Sequence, residues 1–503
     1  MENFTYRTEE TKDGGITIII TRDGREFPLH SRINPAREGE KNAPVFTPEK
    51  YDLLIVLGCG MGYHLAGLKD NSGYRKIIVI DIIPGLEKVP GFLKTVPALA
   101  KAGNVVFITG SDPAEIEKHL TDVIDLDEIK GVQVVEHPGS FRLFPEYYES
   151  VKSGVRQVLD KKGGDRATVR AFGTLFLRNA LNNLGNLHLV SPVSALAGRF
   201  SGESALIVSS APSVENYIAS IKSFRDSFYI IAVDSALPML RAHGIIPEFA
   251  VSIDPQQRIG EHFTGHEGGG TSHIFSIASP PAIVERYGGY ISLNSHPVSQ
   301  VIEEFYPGVT GSIDSGTGSV AGDALNFAIL AGFGNIGMTG FDFSFSGNNI
   351  YARETAYQNR YSLYYNNRVV TPESFNASYI FRGSGSLMSE GKYTRRSFIG
   401  YRDSLVKLID RVCETPPVII NSGGLKVGNG RYMEFEDFAG SCGNPDKERG
   451  IPGDPVKMSD IVDRGKITGF INRSEVNEEL LKQSLGTEKL STRDKRFLKL
   501  LKI

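Results

Sequence analysis

Ser209-Ser210-Ala211-Pro212-Ser213 closes an apolar run and opens a stretch with helical spacing. Small side chains there leave backbone N–H groups free to meet phosphate at the positive end of a helix. Ser213 is the natural N-cap, and Glu215 falls in the first turn. Two further apolar runs end in Asp234-Ser235 and in Ser252-Ile253-Asp254-Pro255-Gln256. Polar clusters at the carboxyl ends of successive strands are where open α/β sheets bind ligands. Ser315-Gly316-Thr317-Gly318-Ser319 precedes another helical run and offers a second set of N-terminal amides, and Gly340-Phe341-Asp342 brings one more carboxylate to the same edge. Tyr351, Tyr357, Tyr361, Tyr364 and Tyr365 follow in a long polar segment. Tyrosine can present a phenol to a leaving phosphate and a ring to a base or sugar, although for any single one packing is the commoner role.

A second glycine-rich turn lies nearer the amino end. Gly58, Gly60 and Gly62 follow the run LLIVL and precede a plausible helix, and Asp81 ends the next strand. A tight turn of this kind can admit a ligand, and the terminal acid can bind ribose hydroxyls. Tyr63 holds the place of the third fingerprint glycine, so the spacing suits a methyltransferase-type loop better than a dinucleotide one. It equally suits a Rossmann-like unit that merely keeps its turn. The pair Asp125 and Asp127 sits in an acidic amphipathic stretch and reads as a solvated face rather than a metal site. His243, His262, His266, His273 and His296 are possible bases, none with metal-ligand spacing, and His296 after ISLNS is the first to test.

These residues need elements to hold them. Hydrophobic content of 40% and charged content of 22% are those of an ordinary folded chain. A net charge of −3 supplies no basic field for nucleic acid or an anionic membrane. Three scattered cysteines (Cys59, Cys413 and Cys442) give neither a disulfide framework nor a zinc site. The charged start, MENFTYRTEE, and the lack of a long apolar run predict no membrane insertion and a cytoplasmic protein. GITIIITRDGREFPLHS reads as a hairpin about Asp23-Gly24, and Asn34-Pro35 as a break. Short β-rich runs alternating with helical ones predict an α/β fold with parallel sheets. The expected domains are 1–145, a β unit with a Rossmann-like domain; 146–200, a helical connector; 201–440, a central catalytic α/β domain; and 441–503, a helical region. The polar segment 343–396 is too long for a simple connection and reads as a lid or binding loop.

The ordered phrases ALIVSSAPSVENYI, FYIIAVDSALPMLRAHGIIPEFAVSIDPQ, SGTGSVAGDALNFAILAGFGNIGMTGFDFSF and VIINSGGLKV resemble the central domain of the motility-associated factor (Maf) family of flagellin glycosyltransferases. LHSRINPAREGEK and IVLGCGMGYHL look like that family's amino-terminal domain, so the resemblance covers nearly the whole chain. It implies a sialyltransferase-like central domain, a variant of the GT-A type. The implied reaction transfers a nonulosonic acid, of pseudaminic or legionaminic type, from its CMP-activated form to Ser or Thr of flagellin, in support of flagellar assembly and motility. The CMP-sugar is then the donor substrate, flagellin the acceptor partner, and no cofactor is tightly bound. By the same resemblance Ser209–Ser213 takes the donor phosphate, although Ser209 and Ala211 replace the glycines usual in that loop. Asp234, Ser235, Asp254, Pro255 and Gln256 hold ribose and base. Gly316, Thr317, Gly318 and Tyr351 steady the departing CMP, and His296 or Asp342 takes the acceptor proton. The central domain also resembles 6-hydroxymethylpterin diphosphokinase, which uses ATP. A flagellin-binding factor without catalysis and a methyltransferase built on the Gly58 loop complete the alternatives.

Overall fold

The computed structural model describes residues 4–68, 73–101, 103–124, 131–265, 269–347, 349–365, 370–382, 386–420, 423–428, 430–443, 456–485, 487, 490 and 494. Asp125, Asp127 and His266 lie outside these residues. The chain divides into two units, Met1–Val169 and Arg170–Ile503. The helix Pro145–Asn183 begins in the first and ends in the second.

In the first unit, β1 (Thr5–Glu10), β2 (Ile16–Arg22) and β3 (Arg25–Pro28) form an antiparallel sheet. The β2–β3 turn is the expected Asp23-Gly24, with φ of 52° and 71°, the left-handed pair that suits a two-residue hairpin. β1 carries polar, exposed side chains, so no hydrophobic pattern announced it; its register is set by backbone pairing with β2. Asn34-Pro35 starts a helix rather than breaking the chain. The Asn34 side chain accepts the Arg37 N–H, and Pro35 stands in the first turn of Pro35–Lys41. β4 (Leu53–Leu57), β5 (Lys76–Asp81), β6 (Val105–Thr109) and β7 (Val132–Glu136) make a parallel sheet in the order β6-β5-β4-β7. All five residues of β4 are buried, as a central strand covered on both faces requires.

The second unit is built on nine parallel strands. They are β8 (Val190–Pro192), β9 (Ser204–Val208), β10 (Tyr229–Val233), β11 (Phe249–Ser252), β12 (Ser272–Ser276), β13 (Gly289–Ser292), β14 (Asn335–Thr339), and, after the hairpin β15 (Ser386–Ser389) and β16 (Lys392–Arg395), β17 (Val418–Ile420) and β18 (Arg431–Tyr432). The order is β18-β17-β14-β9-β10-β11-β12-β13-β8. Residues 190–192, expected in a helical connector, therefore form an edge strand instead. Every residue of β9, β10 and β11 is buried. Phe200, Phe249, Phe327 and Phe333 pack edge and face among them, each buried ring adding roughly 1.5–3 kcal/mol over its exposed state. The tail helices Arg464–Ile471 and Ser474–Leu485 place Ile467, Ile471, Leu480 and Leu481 in this same core. Segment 343–396 is not bare loop: it holds the helices Ala356–Tyr365 and Pro372–Arg382 and the β15–β16 hairpin. Among the described residues no helix is long and apolar enough to cross a membrane.

Candidate functional site

From β9 the chain steps outward through β10, β11, β12 and β13, then returns to place β14 on the other flank of β9. That reversal falls between β9 and β14, and the carboxyl ends of strands at such a reversal are where open parallel sheets form their ligand crevice. The segment after β9 is Ser209–Ser213 and that after β14 is Gly340-Phe341-Asp342. Ser209 N–H donates to the Thr339 carbonyl (2.9 Å) and Ala211 N–H to that of Gly340 (3.3 Å). The Ser213 N–H donates to Asp342 Oδ2 at 3.0 Å, and the Ser213 hydroxyl to the other carboxylate oxygen. Ser213 is thus not an N-cap. Ala211 holds that place on the 3-10 helix Pro212–Tyr217, because Asp342 supplies the acceptor that draws Ser213 inside the turn. Asp342 is fully buried; burial pushes its carboxyl pKa up, against the hydrogen bonds from Ser213 and the charge of Lys392.

The ends of β10 and β11 join this loop through hydroxyls. Ser235 donates to Ser210 Oγ at 2.9 Å, and Asp234 accepts the Ser235 N–H and the Ser252 hydroxyl, both at 2.7 Å. The His262 Nδ1 lies 3.4 Å from Asp234 Oδ2, with both side chains nearly without exposure. Burial alone would raise the Asp234 pKa, but His262 and the two donors carry it below the ordinary value. His262 mirrors this: burial lowers its pKa, and Asp234, Asp254 and Glu261 together carry it above the usual one. Asp254 is half-buried and accepts the Gln256 N–H at 2.8 Å; burial and the Asp234 charge push it up. Pro255 gives its carbonyl to the Asn179 side chain at 2.8 Å.

Asn179 also donates to the Ala278 carbonyl, and Asn183, one turn on, donates to the carbonyls of Ile277 and Ser279. Two buried amides on one helix face thereby tie down the carboxyl ends of β11 and β12. Their spacing within an otherwise apolar face was a readable signal that the sequence analysis passed over. His262 was named only as one histidine among five, and nothing in its spacing marks it.

Loop 315–319 is folded on itself. Ser315 N–H donates to Asp323, Gly316 N–H to Asp314 and Thr317 N–H to Ser315 Oγ, at 2.8, 3.0 and 3.2 Å. These amides are satisfied within the protein rather than held open. Ser319 caps the helix Val320–Ala331, and burial pushes the Asp323 carboxyl up to about 7. Gly316 and Gly318 stand exposed on the loop's rim, with Thr317 buried between them. His296 caps the helix Pro297–Phe305: Nδ1 accepts the Val298 N–H at 3.3 Å, and Nε2 lies 3.2 Å from Ser484 Oγ. It follows β13, three places along the sheet from β10, and burial pushes its pKa down to about 4.

Over the crevice, Ala352 N–H donates to the Ser210 carbonyl at 3.0 Å. Tyr351 stacks on Tyr357 (centroids 4.6 Å), which meets His262 edge-on at 5.0 Å. The side chains of Tyr361, Tyr364 and Tyr365 are outside the described residues. The structure therefore gathers Ser209–Ser213, Asp234, Ser235, Asp254, Gln256, Asp342 and Tyr351 with His262 at one edge, and leaves His296 to a cap.

In the first unit, Gly58, Gly60 and Gly62 all have positive φ, but the expected helix after them is only the 3-10 turn Tyr63–Leu65. Asp81 is buried and accepts the N–H groups of Cys59 (2.6 Å), Gly60 (3.1 Å) and Ile83 (2.9 Å). Its carboxylate holds the turn together. His30, His64 and His137 pack on the same turn, centroids 4.7 and 4.8 Å apart, and the Met61 N–H donates to His30 Nε2 at 2.8 Å. Among the described residues no group of three His, Cys, Asp or Glu side chains is placed to hold a metal ion.

A family profile described as 6-hydroxymethylpterin diphosphokinase MptE-like matches residues 178–348, which span β8 through β14 and most of the crevice. An uncharacterized protein of Treponema pallidum (strain Nichols) is 34% identical over 113 residues, 22% of this chain. The match spans about half, 53%, of that relative's own length. A solved Maf glycosyltransferase from Magnetospirillum magneticum AMB-1 shares the fold at a TM-score of 0.57 over 96% of this chain and 76% of its own, with 14% sequence identity. The resemblance carried by the motifs and the likeness of fold thus point the same way, and the chain shares the α/β fold of that solved Maf glycosyltransferase.

Proposed function

We propose that the chain is a glycosyltransferase that moves a nonulosonic acid from a CMP-activated donor to Ser or Thr hydroxyls of flagellin. The observation that carries this reading is the hydroxyl- and carboxylate-lined crevice at the strand-order reversal of the nine-stranded sheet, in a fold shared with a Maf glycosyltransferase. Its residues divide by chemistry. The Ser210 and Ser235 hydroxyls and the Ser210 N–H, which is the one amide of the 209–213 loop not used within the protein among the described residues, suit the donor phosphate; Asp254 and Gln256, at the half-exposed rim, suit ribose and base; Tyr351 suits a ring contact. The diphosphokinase reading is favoured by the profile over 178–348, since the same crevice could seat ATP. A thermal-shift panel of CMP, CMP-sugar, ATP and S-adenosylmethionine separates them, because a ligand that binds only the folded state raises its melting temperature. CMP should stabilise the protein, and Ser213→Tyr, which fills the crevice floor, should abolish the shift. Stabilisation by ATP or S-adenosylmethionine with no response to CMP would reject the donor assignment.

A further inference from the structure

His262 stands on the 3-10 turn Gln257–Phe263, which packs against the turn Asp234–Ala236 that follows β10 and the helix Leu237–Ala242 after it. It is 3% exposed, and among the described residues neither ring nitrogen makes a well-formed hydrogen bond, the approach to Asp234 being an ion pair at 3.4 Å. A buried imidazole left in that condition costs roughly 1–3 kcal/mol, so its persistence calls for a ligand or a proton that makes good the loss. The groups around it are Asp234 from the end of β10, Asp254 beyond β11, Glu261 on its own turn, and Tyr357 from the helix above. Arg360 sits over the Tyr357 ring and pairs with Glu261, so that carboxylate is already matched. Asp234 holds the Nδ1 side, and Nε2 has no hydrogen-bond partner among the described residues.

We propose that His262 delivers a proton from Nε2 to the group that leaves the crevice, with Asp234 as its positioning partner. The assignment rests on the donor reading above. In the step it describes, the acceptor oxygen bonds to the anomeric carbon of the sugar while the bond from that carbon to the CMP phosphate oxygen breaks. The electron pair goes to the phosphate oxygen, which takes the Nε2 proton. The acceptor's hydroxyl proton passes to solvent, and solvent returns one to the imidazole. The carboxylates around the ring support this direction, since they hold it protonated against the pull of burial. Tyr357 meets the ring edge-on, with Tyr351 stacked upon it, and in this proposal the pair moves to admit donor.

The test uses the full chain with CMP and a CMP-activated nonulosonic acid. His262→Asn should bind CMP within a few-fold of the unmutated protein by calorimetry. It should release CMP from the donor roughly 10²–10⁴-fold more slowly, the range of a lost general acid, and should lack the alkaline limb of the kcat profile. Asp234→Asn should move that limb to lower pH. In the unmutated protein, the His262 ring resonance should titrate above 6.5 and shift further upward when CMP binds, a readout that needs no variant to fold. Unchanged kcat and pH limb in His262→Asn, or a ring resonance indifferent to CMP, overturns the assignment and leaves the donor reading standing. Failure of the unmutated protein to bind CMP or to release it from the donor overturns both.

Discussion

Asp342 and Ser213 show what a single buried carboxylate does here. Asp342 has no exposed surface, and its two oxygens take the amide and the hydroxyl of a residue 129 positions away. Removing it strands both donors where water cannot replace it. Asp342→Ala should therefore cost about 1–3 kcal/mol of unfolding free energy in urea, and Asp342→Asn, which keeps one acceptor, should cost less. An alanine variant with an unchanged midpoint would show that water reaches Ser213. Each residue was legible alone, from its place at the end of an apolar run. Their bond was not, because no local pattern links residues so far apart in the chain. The same limit hid the Asp234–His262 pair: the aspartate announced itself by following a strand, whereas the histidine sits in a turn of no periodicity.

At the scale of elements, the legible part was the parallel strands, whose apolar runs are bounded by polar clusters. The illegible parts were those shaped by partners: polar β1, the hairpin and helices within 343–396, and the short turn after Gly62. That turn is set by contacts across the first sheet's own strand-order reversal between β4 and β7. A Cβ on Gly60 would lie 2.4 Å from His30 Nε2, and φ there is +49°. Gly60→Val should then lose at least about 1–3 kcal/mol from backbone strain alone, read as a lower denaturation midpoint for the first unit. CMP affinity, measured on protein that circular dichroism shows to be folded, should not change. Loss of CMP binding in a folded Gly60→Val protein would move the donor site to the first unit.

For the whole molecule, the buried histidines outnumber Asp323 and His262, which oppose them in the response to acid; Asp323, raised to about 7, adds stability as pH falls through that value. Burial pushes His30 down to about 3 and His64, His273 and His296 to about 4, and pushes His137 well below its usual value. Their folded pKa values lie below the unfolded value near 6.5, so the unfolded chain binds more protons as pH falls. The stability tied to their neutral forms is complete above about 6.5 and drains away toward pH 4, at up to about 1.4 kcal/mol per pH unit for each site. His262 runs the other way, since its folded pKa is raised: what it adds is present below about 6.5 and is lost as pH climbs through the folded value. Urea midpoints taken at pH 7, 6 and 5 should fall steadily, before ordinary carboxylates begin to titrate; a flat series would mean that these rings meet solvent. The nine-stranded sheet has one more property at this scale. Its outermost strands are β18, of two residues, and β8, of three and ending in Pro192. A stub at one border and a residue without an N–H at the other give an incoming chain almost nothing to pair with. The wholly buried, largely apolar strands at the centre would template aggregation if they lay at a border. The borders of this sheet thus guard it against edge-to-edge growth, and its hazard belongs to the newly made chain, before β8 and β18 have closed the row.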